Sequence, residues 1–110
     1  MPGRFEIKVG KTGQFRFNLK ATNGQIILTS ETYPTRAAAV KGIASVKKNS
    51  TADKRFERKE AKNGEVYFVL KASNGEIIGK SEMYKTKRSM ENGVASVGRN
   101  APDASVADAK

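Results

Sequence analysis

The stretch Leu19-Lys20-Ala21-Thr22-Asn23-Gly24-Gln25-Ile26-Ile27 occurs twice in this chain, the second time as Leu70-Lys71-Ala72-Ser73-Asn74-Gly75-Glu76-Ile77-Ile78. The offset is 70 − 19 = 51 residues, and it runs without a gap from Arg4/Arg55 to Asn49/Asn100. Of the 46 position pairs, 23 are identical. A unit of about 50 residues is near the size at which a lone core is marginal. Two such units are therefore expected to share one core. Residues 1–50 and 51–100 are the two repeats of one shared-core domain, and residues 101–110 read as a small, polar, disordered tail.

Within the first repeat, Phe5, Ile7 and Val9 alternate with Arg4, Glu6 and Lys8, which predicts a half-buried strand. Phe15, Phe17, Leu19 and Ala21 alternate with Arg16, Asn18 and Lys20, which predicts a second. A two-residue turn at Thr12-Gly13 would put Phe5, Ile7 and Val9 on the wrong face. An odd, bulged loop with Gly13 in the left-handed region restores the parity. Asn23-Gly24 predicts a type I′ hairpin, which pairs Ala21 with Ile26, Leu19 with Leu28, Phe17 with Ser30 and Arg16 with Glu31. That register puts Ile27 on the solvent face.

Thr35 can cap a helix over 36–48 whose apolar stripe is Ala39, Ile43 and Val46, with Asn49 as a left-handed stop. Gly42, and Gly93 in the second copy, cost such a helix roughly 1 kcal/mol each, which a close approach of helix to sheet would explain. The second repeat predicts strands over 55–60, 65–72 and 76–82 and a helix over 87–99. Arg58 and Glu60 replace Ile7 and Val9, so the strand at 55–60 reads as an edge. Gly79 stands opposite Leu70 and leaves room for a bulky neighbour. The expected fold is α+β: two tandem β-β-β-α repeats sharing one antiparallel sheet, with two helices packed on one face.

The pattern Lys-x-Gly-x-x-x-x-x-Leu-Lys-Ala-x-Asn-Gly, followed by Ile-Ile, Ser-Glu-x-Tyr-x-Thr and Gly-x-Ala-Ser-Val-x-x-Asn, runs through both repeats from Lys11 and from Lys62. In this the chain resembles the YegP-like family of uncharacterised bacterial proteins. The resemblance implies a single antiparallel sheet built jointly by the two repeats, or by two single-repeat subunits, and it implies no activity. Arg58 and Glu60 depart from the apolar alternation of the first strand.

The chain contains no Cys and no His, which excludes thiol chemistry, disulfides, Cys/His zinc sites and Ser-His-Asp catalysis. No catalytic residue, metal ligand or cofactor site is assigned. Glu31 and Glu82, each within Ser-Glu-x-Tyr, read as solvent-face carboxylates; Tyr33 and Tyr84 read as anchors at the start of each helix; Ser45 and Ser96 make local hydrogen bonds. The absence of Cys, of a long apolar run and of a signal sequence fits a cytoplasmic protein with no membrane association.

Net charge is +10, which favours polyanionic partners. The candidate polyanion-binding residues lie on the expected solvent face of the sheet: Arg4, Lys8, Arg16, Lys20, Arg55, Lys59, Lys71 and Lys80. Tyr67, Val69, Ile27 and Ile78 lie among them. Two readings stand: a small non-enzymatic interaction module for a protein partner, using the apolar members of that face, or weak non-specific nucleic-acid binding through the basic ones. In either case the chain is expected to be a monomer with an internal pseudo-dimer.

Overall fold

The computed structural model describes residues 3–108. Seven strands and two helices follow in the order β1 (Arg4–Val9), β2 (Phe15–Lys20), β3 (Ile26–Thr29), α1 (Arg36–Asn49), β4 (Phe56–Glu60), β5 (Val66–Lys71), β6 (Ile77–Lys80), α2 (Lys87–Asn100) and β7 (Ser105–Asp108). They form one sheet in the order β4-β5-β6-β3-β2-β1-β7. All pairings are antiparallel except β1 with β7. The repeats join at β3 and β6, where Thr29 faces Lys80, so a pseudo-two-fold axis passes between those strands.

Both helices pack on one face. Ala39, Ile43 and Val46 of α1 and Met90, Val94 and Val97 of α2 meet Phe5, Phe17, Leu19, Leu28, Phe56, Phe68 and Leu70 in one core. Helix α1 contacts β1 and β2 of its own repeat and β5 and β6 of the other, while α2 contacts β5 and β3. Each helix therefore straddles the junction, and neither repeat closes a core alone. Thr35 and Thr86 cap the helices, accepting hydrogen bonds from the Ala38 and Ser89 amides at 3.0 and 3.1 Å. No described helix is long and apolar enough to cross a membrane.

At the axis the repeats cease to match. Leu28 and Gly79 are equivalent positions, since 79 − 28 = 51. A Cβ placed on Gly79 would lie 2.6 Å from Leu28 Cδ2 and 2.7 Å from its Cγ. The room expected at Gly79 is thus taken by the same residue position of the other repeat.

All four hairpins turn the same way. Gly13, Gly24, Gly64 and Gly75 have φ between 84° and 87°, and among the described residues no other residue type has positive φ. Gly13 fulfils the bulged loop expected there, but Asn23-Gly24 is not type I′. The Gly24 amide donates to the Ala21 carbonyl at 2.9 Å, and the Asn23 side chain accepts from the Gln25 amide at 3.0 Å. This is a type I turn followed by a left-handed glycine. The register near the turn moves by one, so Lys20 rather than Ala21 faces Ile26, and a bulge at Ile27 restores Leu19 opposite Leu28. That bulge turns Ile27, and Ile78 in the second copy, into the core at 7% and 8% exposure. Neither is a solvent-face residue as the simple register required.

Two further expectations fail at the helix ends. Asn49 is the last residue of α1, not a left-handed stop; its Nδ2 is buried and donates to the Ser45 carbonyl at 2.8 Å. Asn100 repeats the bond with Ser96. Residues 101–108 are not a free tail. Ala101 and Ala104 enter the core, and β7 then pairs with β1, its Asp108 bridged to Arg36 at 3.0 Å. Residues 109 and 110 lie outside the described range.

Candidate polyanion interface

The helix-free face of the sheet is built from the alternate residues that point away from the core. One row crosses it through the axis: Glu6, Asn18, Thr29, Lys80, Val69 and Glu57, each opposite the next in the strand register. Glu6 and Glu57 are equivalent positions near the two ends of the row, and each organises cations.

Glu6 receives Arg4 Nη2 at 2.6 Å and Lys20 Nζ at 3.1 Å, and only 13% of its side chain is exposed. The Lys20 hydrogen bond, reinforced by Arg4, holds its carboxyl below the ordinary range against the cost of desolvation. Lys8 and Arg16 face each other across β1 and β2 two residues further on. Both are exposed, and neither makes an ion pair with another described residue. Two cations directly opposite each other repel.

Glu57 receives Lys71 Nζ at 2.7 Å and Lys59 Nζ at 3.8 Å, and Lys71 chiefly lowers its carboxyl. Lys80 lies 4.9 Å from the centre of the Tyr67 ring. Arg55 is not in a strand; it ends a short 3₁₀ turn over Asp53–Arg55 that leads into β4. Seven of the eight expected basic residues thus lie on strands, and Arg55 lies at their margin.

The apolar members expected on this face do not form a patch. Val69 points toward it but is only 3% exposed, flanked in the register by Lys80 and Glu57, and Ile27 and Ile78 are turned inward. Ile77 remains exposed.

The other motifs take structural places. Tyr33 and Tyr84 stack on Phe17 and Phe68 with centroids 6.1 and 6.4 Å apart, and burial raises both phenols. A Cβ on Gly42 or Gly93 would lie 2.4 Å from the corresponding tyrosine Oη. The close approach that these glycines allow is thus made to an aromatic ring rather than to sheet backbone. Ser30 and Ser81 accept from the Phe17 and Phe68 amides at 2.9 and 3.0 Å and donate to the next carbonyls, so a hydroxyl stands in for a ladder partner. Glu31 and Glu82 are exposed, and Glu31 makes no ion pair with Arg16 among the described residues.

Sequence reasoning missed a cluster at the β4 edge. Arg58 donates to both Glu91 carboxylate oxygens at 2.9 Å and to Asp53 at 2.8 Å, and its Nη1 reaches the Phe56 carbonyl at 3.3 Å. Glu91 and then Asp53 raise the guanidinium, and Arg58 lowers both carboxyls. The Phe56 amide donates to the Asp53 carbonyl. At Phe56 both backbone groups of the edge are thus met from within the repeat. A signal was present: repeat 1 has the apolar residues Ile7 and Val40 where repeat 2 has Arg58 and Glu91.

Comparison with known proteins agrees with this architecture. Residues 11–57 and 61–108 each match the family described as "Domain of unknown function (DUF1508)". The chain is 56% identical over 106 residues to the UPF0339 protein MS1092 of Mannheimia succiniciproducens, covering 96% of this chain and 94% of that protein. It is 52% identical over 108 residues to the UPF0339 protein YegP of Escherichia coli K12, covering 98% of each. The solution NMR structure of E. coli yegP, a protein of unknown function, superposes with a TM-score of 0.93 at 52% identity, over 98% of this chain and 93% of that one. That of UPF0339 protein SO3888 from Shewanella oneidensis does so with a TM-score of 0.92 at 42% identity, over 98% and 92%. Two matched repeats, shared sequence over nearly the whole length and a common fold make this chain a member of the DUF1508 family, to which the YegP-like proteins are its relatives.

Proposed function

We propose that the protein is a non-catalytic binding module that holds polyanions, nucleic acid foremost, on the helix-free face of its sheet. The observation that carries this reading is the excess of cations around Glu6 and Glu57, with Lys8 and Arg16 uncommitted to any described carboxylate. The charge of +10 acts in the same direction at long range. A protein partner bound through apolar contact finds little support, because Ile27, Val69 and Ile78 are buried. Lys and Arg on a broad sheet meet phosphate without reading bases. Affinity then comes from counterion release, about 10⁻⁴ to 10⁻⁶ M at physiological salt, and falls steeply as salt rises.

Fluorescence titration with labelled oligonucleotides at two salt concentrations tests this. Reversing Arg16, Lys20 and Lys71 to Glu abolishes binding in a chain whose circular dichroism is unchanged. Reversing Lys47 and Lys48, in the last turn of α1, has a smaller effect. Absence of binding at low salt overturns the reading.

A further inference from the structure

We infer that the polyanion is a duplex, bound with the pseudo-two-fold axis of the fold on the local two-fold of the double strand. This rests on the polyanion reading above and adds the form of the ligand. The basic residues of the face are not spread evenly. Arg4, Lys8, Arg16 and Lys20 surround Glu6 on β1 and β2, and Lys59 and Lys71 flank Glu57 on β4 and β5, with Arg55 just before β4. The strip between them carries Thr29, Ile26 and Ile77, with Lys80 drawn onto Tyr67.

From the middle of β1/β2 to the middle of β4/β5 is four strand spacings, about 19 Å. A single strand is one flexible line of phosphate, and to reach both clusters it must order the nucleotides between them. Its binders also supply aromatic rings on which bases stack. Here Tyr67 stands alone on the face, with Lys80 over its ring. A duplex presents two antiparallel lines of phosphate, one on each lip of a groove, related by a two-fold axis. A groove about 12 Å wide with a phosphate group on each lip is close to the cluster separation. The sheet is too broad to enter the groove, so it rests on the lips, and the nearly uncharged strip lies over the opening. B-form DNA and A-form RNA share this chemistry and differ in groove shape.

The full-length chain is titrated by fluorescence anisotropy with one labelled 20-nucleotide strand, its DNA duplex and the matching RNA duplex, across a salt series. Two variants each reverse one cluster: Lys8→Glu with Arg16→Glu, and Arg55→Glu with Lys59→Glu. The expected result is that at least one duplex binds ~10-fold or more tighter than the single strand, since the duplex already holds its second line of phosphate in place while the strand must be ordered to reach the second cluster. The dependence of log K on log salt, about −0.9 per phosphate neutralised, falls by about half in either variant on the duplex. Equal affinity for single and double strands, or loss in one variant only, overturns the duplex inference and leaves the polyanion reading standing. No binding to any of the three probes at low salt removes the polyanion reading itself.

Discussion

Exchanging Leu28 and Gly79 tests whether the two repeats pack as one body at their axis. Leu28→Gly empties a fully buried site at the junction. A large-to-small core change costs ~2–5 kcal/mol, and glycine within a strand adds ~0.5–1 kcal/mol. Gly79→Leu drives a Cβ to within 2.6 Å of Leu28 Cδ2, with three further carbons behind it. Overpacking of this kind costs ~1–3 kcal/mol or more. Independent sites would add to roughly 4–9 kcal/mol, most of the ~5–15 kcal/mol that holds a typical domain folded. In the double variant the leucine is supplied from the other side of the axis into the space that Leu28 vacated. Its stability should return to within about 2 kcal/mol of the parent, a coupling of at least ~2 kcal/mol. Urea unfolding followed by circular dichroism measures all four corners of the cycle. A double variant that loses the sum of the two single losses would refute the account of the junction.

Three more outcomes are expected. Gly42→Ala and Gly93→Ala should each lower the melting temperature despite alanine's better helix propensity, because the added Cβ meets a tyrosine ring; adding Tyr33→Phe should recover part of the Gly42→Ala loss, and a rise in either single-variant melt would contradict the contact. Gly24→Ala and Gly75→Ala should each cost roughly 1 kcal/mol or more, since alanine disfavours φ near +86°; unchanged melting in both would show that the turns can re-form. The Glu91 carboxyl is depressed in the folded chain by Arg58, so its contribution is present above the ordinary carboxylate range and is lost as pH falls through the folded value. The stability difference between the parent and Arg58→Met should therefore shrink on acidification below about 4.5, and a difference that stays constant with pH would place the role of Arg58 in packing alone.

Much of the fold was legible because the repeat states each local rule twice. Thr35 and Thr86 cap, Ala39-Ile43-Val46 turns inward, and Gly13 adopts positive φ as parity demands. What could not be read was whatever depends on one residue more or less. The Asn23-Gly24 dipeptide serves two turn types, and the choice between them moved Ile27 from one face to the other through a bulge. The order of strands across the junction was also unreadable, since no local pattern says which edges meet. For the basic face, seven of the eight residues lie on strands as expected, but their division into two clusters depends on which lysine reaches Glu6 or Glu57. Long flexible side chains do not show that in one dimension.

The pairing of β1 with β7 sets a timetable for the nascent chain. Arg4 waits 105 − 4 = 101 positions for Ser105, and Thr29 waits 80 − 29 = 51 positions for Lys80. On a ribosome, β1 acquires β2 within moments, but its outer edge stays open until β7 has emerged. An open edge is a site for mispairing. A strand made about 100 residues later thus pairs with the first. A chain that stops at Asn100 keeps all four hairpins and both helices yet exposes the edge of β1 and lacks Ala101 and Ala104 of the core. Such a chain differs from the full fold in carrying the six-residue β1 at its edge in place of the four-residue β7, beside a less covered core, which is the kind of surface that chaperones and proteases sample.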